Sequence, residues 1–141
     1  MKRKIMNLQN DAGKLICISY SFGSFFGGQW DYSITKQYDE LYLLGKGGNG
    51  VDLNVCAKVS DKELGELAEI IESNGIHSWN GFDEFNHGVL DGYGFDLIAN
   101  FENGTLIASG YEIYPDNYEA GHEVLRSYFE KLSDSKKNKK S

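Results

Sequence analysis

The chain is short of proline, of cysteine and of long apolar runs, and each shortage excludes something. A single Pro stands against 17 Gly, so the turns fall to glycine. That residue supplies the positive φ that tight turns need. Only Cys17 and Cys56 are present, far apart and without CxxC or CxxH spacing. A pair of reduced, partly buried thiols is expected, and no disulfide framework. No stretch approaches the roughly 18 apolar residues of a membrane span. Lys2-Arg3-Lys4 leads into no apolar region of the signal-peptide kind. A cytoplasmic protein without a membrane partner is therefore expected.

What is present suits one domain. The length of 141 residues is about one domain's worth, enough to bury roughly two-thirds of the unfolded surface without staples. Nine Tyr, eight Phe and two Trp point to strands, because aromatics fit a half-buried pleated surface. The net charge of −7 hides a pattern. Lys2, Arg3, Lys4, Lys136, Lys137, Lys139 and Lys140 are seven of the 14 basic residues and sit at the ends. Between residues 5 and 135, seven basic residues face all 21 acids, which gives that body −14. Such a body repels phosphate backbones, so nucleic acid is an unlikely partner and a basic protein an admissible one.

Residues 1–13 read as a loose segment, 14–133 as a single domain and 134–141 as a basic disordered tail. Leu15 to Tyr20 reads as a strand, with Ile16, Ile18, Tyr20 and Phe22 on one face. Trp30, Tyr32 and Ile34 alternate with polar residues in a second strand, and Leu41 to Leu44 forms a third. Val51, Leu53, Val55 and Ala57 give a fourth, with the period of two expected of a half-buried strand. Ser60 and Glu63 make a capping box, Val59 and Leu64 a hydrophobic staple. Leu64, Leu67, Ala68 and Ile71 then recur at helical spacing until Asn74-Gly75 stops the helix. Phe95, Leu97, Ala99 and Phe101 alternate towards Asn103-Gly104, which predicts a two-residue hairpin turn pairing Glu102 with Thr105. Pro115 ends the returning strand. Asp116 or Asn117 caps a second helix whose buried stripe is Val124, Leu125, Tyr128, Phe129 and Leu132. The order β-β-β-β-α-β-β-α predicts an α+β fold: an antiparallel sheet of about six strands with both helices on one face.

Most apparent motifs are absorbed by this frame. Gly45 to Gly50 matches GxGxxG, but a strand follows it where a dinucleotide site needs a helix. His122-Glu123 opens like HExxH, yet Arg126 stands in place of the second ligand, and both residues read as a solvated helix face. No GxSxG is present, and no cofactor is expected.

The irregular stretch 76–94 resists absorption. It gathers Trp79, Phe82, Phe85 and Tyr93 with His77, Asp83, Glu84, His87 and Asp91, and loops of that length inside a domain are often functional. Its carboxylates lack EF-hand spacing. Residues 110–118 are a second candidate, because tyrosine joins apolar area to a hydroxyl. Trp79, His87, Asp91, Tyr93, Tyr111 and Tyr114 are the candidate contacts for a ligand or partner. The plainer alternative is that Trp79, Phe82 and Phe85 plug the end of the sheet and that Tyr114 and Tyr118 are core.

Leu90-Asp91-Gly92-Tyr93-Gly94-Phe95-Asp96-Leu97, then Phe101-Glu102-Asn103-Gly104, Gly110 and Tyr114-Pro115-Asp116-Asn117 form a spaced pattern. It resembles the C-terminal half of small uncharacterised bacterial proteins with a DG, aromatic, F-x-x-G, G, P-x-N signature. The resemblance covers about a third of the chain and implies no activity. Three functions are then open. The first is a non-enzymatic binding domain for a protein or small ligand. The second is an acidic inhibitor or immunity-type protein covering a basic partner. The third is a small metal-assisted or acid–base hydrolase using His77, His87 and Asp91.

Overall fold

The computed structural model describes residues 12–24, 26–48 and 53–138. One sheet of seven strands carries two α-helices. The strands are β1 (Leu15–Ser24), β2 (Gly28–Gln37), β3 (Glu40–Gly47), β4 (Leu53–Val59), β5 (Asp83–Phe85), β6 (Gly94–Phe101) and β7 (Gly104–Tyr111). Helix α1 spans Asp61–Ser73 and α2 spans Tyr118–Asn138. The sheet order is β4-β3-β2-β1-β6-β7-β5. All neighbours are antiparallel except β5, which runs parallel to β7. The expected antiparallel sheet of about six strands is thus present with a seventh, parallel strand added inside the stretch read as irregular. Asn80 prepares that edge: its Oδ1 accepts from the Ile107 N–H at 3.0 Å, and the Gly81 N–H donates to the Ile107 carbonyl at 2.9 Å.

Alternation decides what is buried. Ile18, Tyr20, Phe22, Tyr32, Ile34, Leu43, Val55, Phe95, Leu97, Ala99 and Leu106 fill one face and pack with Leu64, Leu67 and Ile71 of α1 and Leu125 and Phe129 of α2. Helix α1 forms as its local signals require. The Ser60 N–H donates to Glu63 Oε1 at 2.8 Å, and Gly75 takes φ 68° just past the end. Between β2 and β3, Tyr38 and Asp39 adopt φ 53° and 70°, a two-residue left-handed turn of the kind that matches strand twist.

Four expectations need correction. Ile16 is not on the core face: the β1–β6 register shifts between Leu15 and Cys17, Ile16 is the bulged residue and is exposed, and Leu15 takes the buried place. The β6–β7 hairpin turns one residue earlier than expected, at Glu102-Asn103, which shifts the pairing by two: Phe101 is opposite Gly104 and Asn100 opposite Thr105. The N-terminal segment supplies the reason. The Glu102 and Asn103 N–H groups donate to the carbonyls of Lys14 and Ala12, and the Lys14 N–H donates to Glu102 Oε1, so both turn residues are held by that strand. A shift of two leaves every side chain on its expected face. The tail does not start at residue 134, because α2 continues to Asn138. Cys56 is exposed rather than partly buried, while Cys17 accepts from Asn100 Nδ2.

Residues 1–11 of the segment read as loose, Val51 of the fourth strand, and Asn49 and Gly50 of the glycine motif lie outside the described residues.

Candidate functional site

Among the described residues, no element covers the face of the sheet opposite the helices. The strand registers set Lys46, Asp31, Ser21, Asp96, Ser109 and Asp83 side by side in a row that crosses the sheet. Asp31, Asp83 and Asp96 are exposed. Asp96 Oδ1 accepts from Ser109 Oγ at 2.8 Å, which orients the carboxylate. The next outward-facing row towards the strand ends runs Phe85, Tyr111, Gly94, Gly23, Gln29. Its two central members have no side chain, so a cleft of about 350 Å³ opens over bare sheet backbone. Phe85 and Tyr111 wall one end and Gln29 the other, with Ser21, Asp96 and Ser109 along the side. A Cβ at Gly94 would crowd this wall, 3.2 Å from Tyr111 Cδ1 and 3.1 Å from the Gly110 carbonyl oxygen.

The aromatic wall is a surface stack. Phe85 lies on Tyr111 with centroids 4.6 Å apart and planes 15° apart, and the His87 ring packs on Phe85 at 4.6 Å. Phe85 remains 56% exposed. Behind the wall, the loop 89–94 is tied down by residues 111–114. Tyr111 Oη accepts from the Gly92 N–H at 2.6 Å and donates to the Val89 carbonyl at 3.0 Å. Glu112, at φ 62°, accepts from the Tyr93 N–H at 2.6 Å through its carboxylate. Tyr114 Oη donates to the Tyr93 carbonyl at 2.7 Å. Asp91 Oδ1 accepts from the Phe26 N–H at 3.2 Å, joining this loop to the β1–β2 turn.

Tyr93 turns inward between Gly92 and Gly94 and reaches His122 of α2. Its Oη lies 3.2 Å from His122 Nε2, while Tyr20 Oη lies 2.6 Å from Nδ1 and Tyr118 Oη 3.3 Å from the same nitrogen. Tyr118 stacks on the imidazole and Phe22 meets it edge-on at 4.7 Å. Burial, with Arg126 nearby, holds the His122 pKa below the ordinary imidazole value. Burial, reinforced by Tyr118, pushes the Tyr20 hydroxyl far above its usual range, so Tyr20 stays protonated. Tyr20 Oη also donates to Tyr118 Oη at 3.3 Å, so three phenols and both imidazole nitrogens form one connected network in which the tautomer sets who donates. The cluster therefore backs the cleft floor from the core side.

The residues expected at the site divide. Tyr93, Tyr111 and Tyr114 meet in the loop anchor, and His87 and Asp91 flank it. Trp79 is a correction: it is 0% exposed, packs on Phe95 and Tyr118, and donates from Nε1 to Asn117 Oδ1 at 2.8 Å. It belongs to the core, as the plainer alternative had it, because the 3₁₀ turn Ile76–Trp79 folds under α2. Asn117 likewise ties elements together, since its Nδ2 donates to the Asn74 carbonyl at 2.9 Å. His122 is the second correction. It is half-buried rather than on a solvated face, and its spacing from Tyr118 and Leu125 was the available signal. Gly23, Gln29 and Asp96 were not expected as contacts: Gly23 and Gln29 belong to no motif, and the spaced pattern that contains Asp96 implied no role for it.

Two further features bear on chemistry. No hydrogen bond joins His77, His87 and Asp91, and His77 Nδ1 is buried without a partner. Among the described residues no group of three or more His, Cys, Asp or Glu is placed to hold a metal ion. Residues 63–125, which supply β5, β6 and β7, contain 13 acids and no Lys or Arg. No helix among the described residues is long and apolar enough to cross a membrane. No family model, curated protein or solved structure matches the chain.

Proposed function

We propose that the protein is a non-enzymatic binding domain that uses the uncovered face of its sheet to hold a basic protein. The observation that carries this is the exposed row of Asp31, Asp96 and Asp83 beside an aromatic-walled cleft, with Asp83 and Asp96 inside a stretch of 63 residues, 63–125, free of Lys and Arg. Ile98 and Ile107, 43% and 53% exposed on the same face, add apolar area beside the acidic row. Apolar area next to a polar, charged margin is the ordinary anatomy of an interface. An inhibitor or immunity role is the form this takes if covering the partner silences it; the acidic body supports that reading.

The test is capture from the native host with the wild-type protein and with an Asp31→Asn/Asp96→Asn/Ile107→Ser variant. A basic protein is expected on the wild type, lost from the variant, and released steeply between about 0.05 and 0.5 M salt. A partner held equally by both proteins, or held independently of salt, overturns the proposal.

A further inference from the structure

The uncovered face is broad, but the cleft at its β5 end is specific in shape. Its floor is the backbone at Gly23 and Gly94, its end wall is aromatic, and its side carries one oriented carboxylate. We propose that this cleft receives a single arginine side chain of the basic partner, an inference that rests on the reading of the face given above.

Three features select arginine. A guanidinium is planar and can lie against backbone that carries no side chains, with its edge towards the aromatic wall. Its charge is delocalised and weakly hydrated, so it leaves water for an aromatic wall more readily than the compact ammonium of lysine. Its several N–H donors suit a cleft lined by residues that can accept: Asp96, Ser21 and Gln29. The Ser109 hydroxyl already donates to Asp96 Oδ1, so Oδ2 is left for the incoming group. The preorganisation continues outwards. Tyr111 cannot swing away, because its hydroxyl is fixed to the backbone at Gly92 and Val89. An ordered wall loses little freedom on binding.

The probes are two short peptides of equal length and charge, one alternating glycine with arginine and the other glycine with lysine. Each is titrated into the full-length protein, with binding followed by calorimetry and by amide chemical shifts. The arginine peptide is expected to bind about fivefold more tightly, with the largest shifts at Gly23, Gly94 and Asp96. Asp96→Asn is expected to weaken the arginine peptide about fivefold and Phe85→Ala about threefold, both narrowing the gap between the peptides. Both side chains are exposed, so the variants should fold, and an unchanged Tm confirms it.

Asp31→Asn outside the cleft and Asp61→Asn on α1 serve as controls. Equal binding of the two peptides, weakened by Asp31→Asn and Asp96→Asn but not by Asp61→Asn, overturns the arginine cleft while leaving the face as the binding surface. Absence of binding, or equal weakening by Asp61→Asn, overturns both.

Discussion

His122 sits one helical turn from Tyr118 and meets three phenols, and this makes it the residue whose protonation matters most to the fold. Burial disfavours its charged form, so the folded state takes up a proton less readily than the unfolded chain does. The stabilisation is complete above the ordinary imidazole value of about 6.5 and is lost as pH falls below it towards the lower folded value. Urea unfolding followed from pH 8 to 5 should show this loss. In His122→Gln that part of the slope should vanish, with a general cost of about 1–3 kcal/mol for the disrupted hydrogen bonds. An unchanged slope would show that the imidazole titrates alike in both states. Sequence showed the residue but not its role. A histidine beside a glutamate, with arginine three positions on from the glutamate, suits a wet helix face. Only its phase relative to Tyr118 and Leu125 placed it inward.

Among the elements, α1 was legible throughout because cap, staple, apolar spacing and terminal glycine all agree. Strands β2 and β6 were legible from their alternation; β3 was read only over Leu41 to Leu44, although it runs Glu40–Gly47, because its glycines suggest a turn. Strand β5 was not, because Asp83-Glu84-Phe85 has no alternation and exists through pairing with distant β7. The bulge at Ile16 and the shifted hairpin also depend on partners far along the chain. The candidate site was half legible. Tyr93, Tyr111 and Tyr114 stand out as aromatics in irregular stretches, whereas Gly23, Gln29 and Asp96 become neighbours only when β1, β2 and β6 pair. The helices contain a further test. Gly121 of α2 lies against the 3₁₀ turn, where a Cβ would meet Trp79 Cζ2 at 2.6 Å and Ile76 Cγ1 at 3.1 Å. Gly121→Ala should destabilise by about 1–2 kcal/mol, because overpacking outweighs the helical gain. Gly65 of α1 has nothing within 4 Å, so Gly65→Ala should stabilise by about 1 kcal/mol. Denaturant midpoints of the two variants should move in opposite directions; movement in the same direction would refute the packing argument.

For the whole molecule, the decisive feature is the place of β1, the middle strand of the sheet. Tyr20 pairs with Tyr32 on one side and with Leu97 on the other. The first pairing closes a short loop; the second must wait for most of the chain. Such long-range contacts carry a loop-closure cost before they are rewarded, and they place folding in the slower range of about milliseconds to seconds. Pulse-labelled hydrogen exchange during refolding should find β2 and β3 amides protected first, and β1, β6 and α2 together in the main phase. Protection of β6 ahead of the meander would contradict this order. During synthesis the consequence is sharper. From the emergence of β1 until residue 101 has left the ribosome, a long apolar strand is exposed with one edge bare. For that interval the nascent chain is a natural client for a holdase chaperone.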